Sequence, residues 1–465
     1  MTENDNLKLA FYGDDFTGST DALEFLTRAG AKTVLFLDNP TPAQIARFGN
    51  LDAVGVAGMT RAMAPSEMAE TLREAFGVLK SLNPRHIHYK VCSTFDSSPE
   101  IGNIGTAIET GFQVFQHEFT PVLSAAPTLG RYSAFGNLYA RMGIGSRGDI
   151  FRLDRHPSMR DHPVTPASES DLRLHLGRQT PLPMGLIDLL DLERPVPEII
   201  GKLNAEIAAG KKIVFFDALY EWQMVKIGEV FDRKAKHNPP LFSVGSSGIE
   251  KALGDVWLQA GLLKQKEEWE PLAPCSPILI LSGSVSPVTA SQIDWAGKNG
   301  FEEIAVAPEV LEADNPDDFI ANYRDKMVAF LKAGKNIILH TAKGPDDGRI
   351  RQIKSFLDTK GWDLSTQRTH TARRFGEILG RSAREALEQF PVKRLVIAGG
   401  DTSGYVARYL GIEAVEMIAP VFPGAPVCRS FAAGSPVDGI EVNLKGGQVG
   451  DETYFGVLQK GLKKT

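Results

Sequence analysis

Two adjacent carboxylates, Asp14 and Asp15, stand in the stretch Gly13-Asp-Asp-Phe-Thr-Gly-Ser-Thr-Asp21 near the N-terminus. An apolar run, Leu7 to Tyr12, precedes them, and Ala22, Leu23, Leu26 and Ala29 follow at helical spacing, with Gly30 as a stop. Aspartates where a strand hands over to a helix can accept hydroxyl protons. Thr17, Gly18 and Ser19 add hydroxyls and free amides that could hold an anion. A bland role is also open: one of Asp15, Thr17 and Ser19 caps the helix. Capping needs one short polar residue, and this turn offers four.

Two cations fall at equivalent places. Arg61 follows the strand-like Ala53 to Ala57, and Lys90 lies at the end of His86 to Val91, ahead of Ser93, Thr94 and Asp96. Ligands of open parallel sheets bind at the carboxyl ends of strands. These cations there suit a carboxylate, while the aspartates suit a hydroxyl. In the structural alternative, Arg61 and Lys90 pair with Asp14 and Asp96.

The second half carries loops of another chemistry. Ile278 to Leu281 runs into Ser282-Gly-Ser284-Val-Ser-Pro287, with a helix expected from Pro287 and Ser286 as its cap. Arg394 to Ala398 runs into Gly399-Gly400-Asp401-Thr402-Ser-Gly404, where Thr402 or Asp401 is expected to cap the next helix. Ile440 to Leu444 runs into Lys445-Gly446-Gly447-Gln-Val-Gly-Asp451. Glycine turns at strand ends aim amides at an anion, and a lysine adds a point charge. One such loop can be merely steric, but three together point to a nucleotide. Gly143-Ile-Gly-Ser-Arg-Gly148 has GxGxxG spacing without a preceding strand or a following helix, so the dinucleotide context fails. No GKS or GKT occurs, which excludes a P-loop.

The elements that must position these residues alternate. Strand-like Thr33 to Leu37, Ile213 to Phe216 and Leu241 to Val244 interleave with helical Pro65 to Lys80, Pro197 to Ala209 and Gly248 to Ala260. That rhythm predicts a mostly parallel α/β sheet. Gly130 to Thr180, rich in Arg, Pro, Gly and His, reads as a long excursion or cap. Proline and charge between Gly261 and Pro277 mark a boundary, after which alternation resumes: Ile304 to Val306, Asn336 to His340 and Glu413 to Ile418, with helices Asp317 to Ala333 and Thr371 to Gln389. The expectation is two consecutive α/β domains, 1–265 and 275–465, with the active site in the cleft between them.

Composition narrows the class. The 465 residues are 43% hydrophobic and 23% charged, with net charge −6, which argues against a broad nucleic-acid surface. No apolar run approaches membrane-spanning length and the N-terminus has no signal-peptide core, so a cytoplasmic protein is expected. Three distant cysteines without a CxxC pair indicate neither a disulfide framework nor a zinc ribbon. His86 and His88 share a strand face but lack further ligands nearby, so packing or substrate contact is expected there.

GDDFTGSTD, YKVCSTFDS, SGSVSP, GGDTSG and KGGQVGDETYF, in this order over nearly the whole chain, resemble the four-carbon acid sugar kinase family. The resemblance implies an N-terminal sugar-acid-binding domain and a C-terminal nucleotide-binding domain, phosphorylating tetronates or 3-oxo-tetronates with ATP. It implies that Asp14, Asp15, Thr17, Gly18, Arg61, Lys90, Ser93 and Thr94 face the acid. Ser282, Ser284, Gly399, Gly400, Asp401, Thr402 and Gly424 would line the ATP site, with Lys445, Gly446 and Gly447 from the third loop. The wording STFDS is similar to the branch acting on 3-oxo-tetronates. Ile101 stands as an insertion before GNIG, and Val427 stands where that branch tends to have tryptophan.

Phosphoryl transfer needs positioning, charge neutralisation and a base. Asp15 or Asp14 is the expected base and Asp401 its competitor, with Mg2+ accompanying ATP and a homodimer compatible with the reading. A two-domain dehydrogenase would need a dinucleotide fingerprint in context, and a non-catalytic bilobal sugar-acid sensor would need no third phosphate loop.

Overall fold

A computed structural model describes residues 7–142, 148–161, 164–269 and 271–462. Most of the GxGxxG match at 143–148 lies outside them. The chain forms two compact units, Met1–Val34 with Asn39–Lys266, and Leu35–Asp38 with Glu267–Thr465.

In chain order the first strands are β1 (Leu9–Gly13), β2 (Thr33–Phe36), β3 (Ala53–Ala57), β4 (His86–Lys90) and β5 (Thr120–Leu123). They are followed by β6 (Arg131–Ala134), β7 (Asn137–Arg141), β8 (Ile150–Arg152), β9 (Met184–Ile187), β10 (Ile213–Phe216) and β11 (Leu241–Gly245). The sheet of the first unit runs β3-β1-β4-β11-β5-β10-β9, every pair parallel. Its central strands are continuous apolar runs because both faces are covered, and all five residues of β1 are buried.

Register decides where the chemistry sits. Gly13 pairs with Ala57 on one side and Lys90 on the other, Lys90 pairs with Gly245, and Gly245 with Leu123. The carboxyl ends of β3, β1, β4, β11 and β5 therefore finish level. Helix Pro65–Ser81 anchors this edge from one face by burying Met68, Leu72, Ala75, Phe76 and Leu79, a single stripe at helical spacing. Phe76 meets Tyr12 and Tyr89 edge-on, and the two tyrosines stack at 6.1 Å. Burying a Phe or Leu here is worth about 1.5–3 kcal/mol.

The segment read as an excursion contains a three-stranded antiparallel sheet, β6-β7-β8, and a short helix, Leu172–Leu176. Asp217, just past β10, pins its hairpin by accepting from Ser133 Oγ at 2.6 Å and Gly136 N at 3.1 Å. Ser133 N also donates to Ala218 O at 2.9 Å.

The later strands are β12 (Leu279–Ser282), β13 (Phe301–Ala305), β14 (Asn336–His340), β15 (Arg394–Ala398), β16 (Ala414–Phe422), β17 (Ala425–Phe431) and β18 (Glu441–Lys445). They order as β13-β14-β12-β15-β18-β17-β16, the first five mutually parallel and β17 antiparallel to both its neighbours, β18 and β16. Leu35 and Phe36 of β2 pair with Val415 and Ala414 of β16, which places 35–38 in this unit. The chain leaves β12 toward β13 and β14 but leaves β15 toward β16, so strand order reverses between β12 and β15. Crevices at such reversals are where α/β sheets bind ligands. Ser282, Ala398 and Lys445 are in register there.

Helix Leu364–Gln389 starts seven residues before the expected Thr371, because Asp363 caps it by accepting from Thr366 N at 2.7 Å.

Candidate active site

At the edge of the first sheet the backbone ladder continues past the strands. Asp14 N donates to Lys90 O at 2.9 Å and Arg61 N to Asp14 O at 3.0 Å. This brings the side chains of Asp14, Asp15, Arg61 and Lys90 together. Arg61 grips Asp14 with Nη2 at 2.7 Å and Nε at 3.0 Å, and reaches Asp15 Oδ2 with Nη1 at 2.7 Å.

Asp15 also does the local work of the turn. Its Oδ1 accepts from Thr17 N at 2.9 Å and Gly18 N at 3.2 Å, while Ser19 Oγ donates to Asp15 O at 2.7 Å. Gly18, the residue at the cap of helix Ser19–Arg28, makes no side-chain bond. Capping and function thus coexist in Asp15. Lys90 Nζ donates to Gly18 O at 2.6 Å and lies 3.7 Å from Asp21, so its acid partner is Asp21, not Asp96.

Electrostatics separates the two acids. Burial pushes Asp14 above the usual carboxylate range despite Arg61. Burial acts on Asp15 too, but Arg61, the Gly18 amide and Lys90 together hold it below that range. Neighbouring carboxylates driven apart in this way are typical of acid–base sites. Burial also lifts Asp21 to about 6.

Ser93 contributes its carbonyl to Ser124 Oγ at 3.3 Å, and Thr94 Oγ1 lies 2.9 Å from Cys92 Sγ. Thr94 and Asp96 line a narrow cavity with Thr165, Glu169 and His175. His86 and His88 pack into the core: His86 faces Asp232 at 3.3 Å and His88 faces Glu250 at 2.5 Å. Among the described residues no group of three or more His, Cys, Asp and Glu could hold a metal ion.

The edge of the second sheet is built from interlocked glycine turns. Gly283 N donates to Ala398 O at 2.9 Å, and Gly399 N to Lys445 O at 3.0 Å. A β-carbon on Gly447 would lie 2.6 Å from Ser284 Oγ. Gly399 adopts φ +144°, open only to glycine, and a β-carbon on Gly400 would meet nothing within 4 Å. Ser286 caps helix Pro287–Lys298 as expected, accepting from Val288 N at 3.2 Å. Helix Asp401–Tyr409 differs from expectation. Its cap residue is Gly400, without a side-chain bond, so neither Asp401 nor Thr402 caps it. A glycine there brings no side-chain acceptor of its own to the helix start, where an anion can be received. Gly424 turns the β16–β17 hairpin at φ +78°. Asn443 Nδ2 donates to Ala425 O at 2.9 Å and holds that hairpin tip at the same edge as Lys445.

Lys445 is placed differently from Gly446 and Gly447. Its ammonium is fully buried, 3.1 Å from Thr289 Oγ1 and 2.8 Å from Gln292 Oε1, over the ring of Tyr454. Thr289 Oγ1 in turn donates to Gly447 O at 2.8 Å, and Gln292 Nε2 donates to Val449 O and Asp451 O, both at 2.9 Å. The lysine braces the glycine turn from beneath, and burial pushes it down to about 7.

A fourth loop escapes the sequence reading. His340-Thr-Ala-Lys-Gly344 follows β14, and Thr341 N donates to Ser282 O at 3.0 Å. The signal was available: an apolar run passing through a hydroxyl to a glycine, as in the other loops. Burial, with Arg349 beside it, pushes His340 down to about 4.

These edges can do complementary chemistry. The first offers carboxylates able to orient an alcohol; the second offers amides able to hold phosphates. Comparison with known proteins fits both. Residues 9–253 match the model of a sugar-binding N-terminal domain, and 279–455 that of a nucleotide-binding C-terminal domain. The chain is 40% identical over 458 residues to 3-oxo-isoapionate kinase of Paraburkholderia graminis, covering 98% of this chain and 94% of that one. It is 30% identical to 3-oxo-tetronate kinase of Methylobacterium radiotolerans, covering 97% and 98%. A solved structure from Salmonella typhimurium LT2 superposes with a TM-score of 0.74 at 26% identity, covering 97% and 99%.

Proposed function

Because the chain belongs to the four-carbon acid sugar kinase family, we propose that it is an ATP-dependent kinase of a sugar acid: a 3-oxo-tetronate, threonate or erythronate. One observation carries the reading: each unit has a level sheet edge, with carboxylates at Asp14 and Asp15 in the first and interlocked glycine turns at Gly283, Gly399 and Gly447 in the second. Relatives named as kinases favour it over the dehydrogenase and the sensor.

In this reading residues 1–265 hold the acid and 275–465 hold ATP. Thr17, Gly18, Lys90, Ser93 and Thr94 surround the acid, with Asp15 or Asp14 taking the proton of its hydroxyl. Amides of Gly400 and Thr402 receive the phosphates, with Ser282, Ser284, Gly399, Gly424, Gly446 and Gly447 shaping the cradle. Lys445 positions that cradle from below. The open space at Gly400 and the uncapped start of helix Asp401–Tyr409 fit a phosphate. Mg2+, bound with ATP, neutralises phosphate charge. Among the described residues no group of three or more His, Cys, Asp and Glu could hold a metal ion, which fits an ion held largely by phosphates and water, with Asp401 a candidate ligand. Three free cysteines support a cytoplasmic setting.

The test is a coupled assay across erythronate, both threonates and their 3-oxo forms, with thermal shifts read beside it. Phosphorylation of at least one acid, with stabilisation by Mg-ATP and none by NAD, is expected. No phosphorylation of any, with no shift from Mg-ATP, overturns the proposal.

A further inference from the structure

The acid-binding edge has a charge problem. A substrate carboxylate entering it meets Asp14, Asp15 and Asp21, and the two expected cations are already engaged. Arg61 holds three carboxylate oxygens, and Lys90 is tied to Gly18 O and Asp21. Neither can leave without stranding a buried acid.

One cation nearby has no acid partner. Arg131 opens β6 directly beyond β5, where its backbone exchanges bonds with Ala126 at 3.0 and 3.1 Å. Ser124, two residues before Ala126, reaches across to Ser93 O at 3.3 Å, which fixes this turn against the end of β4. Arg131 is 7% exposed. Its Nη1 donates to the carbonyls of Leu129, Gly130 and Arg141 at 3.1–3.3 Å. Its Nε is buried without a hydrogen-bond partner, and it forms no salt bridge among the described residues. Burial works against its charge, and the carboxylates that favour it are Asp96 and Asp21, on the strand and helix ends of the acid-binding edge. Asp96 Oδ1 is likewise buried without a partner. A guanidinium anchored by one nitrogen and unpartnered on its Nε is a preformed fork for a carboxylate.

We propose that Arg131 is the residue that receives the carboxylate of the sugar acid and so makes the enzyme specific for acids over neutral sugars. The inference rests on the kinase reading. Arg61 then holds Asp14 and Asp15 in place for the hydroxyl, and Arg131 supplies the charge that an acid substrate requires.

The experiment compares wild type, Arg131→Gln and Arg131→Lys, using the best substrate of the tetronate panel and its carboxamide. Loss of a charge-assisted bond predicts a KM for the acid raised about 10- to 100-fold in Arg131→Gln, with kcat little changed. The KM for the uncharged carboxamide is expected to stay within about 3-fold of wild type, so that discrimination collapses, and Arg131→Lys recovers part of it. Stabilisation by Mg-ATP, unchanged in both variants, shows that the fold is intact. An active wild type with unaltered acid-over-amide preference in Arg131→Gln overturns the inference and leaves the kinase reading standing. Equal loss on acid and amide in both variants assigns Arg131 to structure and also overturns it. An inactive wild type on every acid defeats the kinase reading itself.

Discussion

Gly283 and Thr402 stand so close that a β-carbon at 283 would lie 2.4 Å from the Thr402 methyl. They belong to different loops, one after β12 and one after β15, at the point where strand order reverses. Only the missing side chain lets these turns share one cradle. Gly283→Ala is therefore expected to push the turns apart. The KM for ATP rises about 10-fold or more while the KM for the sugar acid stays near wild type. Thr402→Gly removes the three atoms nearest the new methyl and is expected to restore much of the affinity in the double variant. Titration of both variants with ATP by thermal shift checks this, and an unchanged response in Gly283→Ala refutes it.

Asp15 and Asp401 compete as base, and their surroundings differ. Asp15 is held ionised by Arg61 and the Gly18 amide, while Asp401 is exposed on the first turn of its helix. Asp15→Asn keeps an oxygen to accept from Thr17 N and Gly18 N, and loses the charge together with the acceptor that Arg61 Nη1 uses. It is expected to lower kcat by about 10²-fold or more with ATP binding intact. Asp401→Asn is expected to raise the Mg2+ requirement with a much smaller loss of kcat. The reverse pattern moves the base to the second unit. Asp14→Asn is a poorer probe, because breaking a buried bidentate pair with Arg61 costs about 3–5 kcal/mol of stability.

Legibility of this chain followed the range of the forces involved. Strands such as Ala53–Ala57, Asn336–His340 and Arg394–Ala398 have the bounds read from sequence, since each is an apolar run ended by glycine or polar residues. β5 escaped because Pro121 argues against a strand with neighbours on both sides, yet β11 and β10 flank it. The Asp15 turn was readable because its bonds span four residues or fewer. The hold of Arg61 on both acids spans 46 and 47 residues, so sequence left it as one alternative among others. Whether Lys445 faced the loop or the core depended on Thr289 and Gln292, more than 150 residues away. Arg131 was one arginine among many in the stretch read as a cap, and only burial without an acid partner sets it apart.

The buried ammonium of Lys445 carries a pH signature. Its pKa falls from 10.5 to about 7 because burial disfavours the charged form, and among the described residues no carboxylate bonds it. Between these values the unfolded chain binds a proton that the native state does not, so unfolding free energy rises with pH across that window. Between pH 7 and 9 this one group contributes roughly 2 kcal/mol of added stability, since each tenfold fall in proton concentration is worth up to about 1.4 kcal/mol. Lys445→Met keeps the packing over Tyr454 and Phe455 and removes the titration. Urea unfolding at pH 7, 8 and 9 is expected to show the wild type gaining on the variant by about that amount. Parallel pH profiles for the two proteins would show that the ammonium stays protonated in its pocket, and the lysine would then act as a charged brace beneath Gly447.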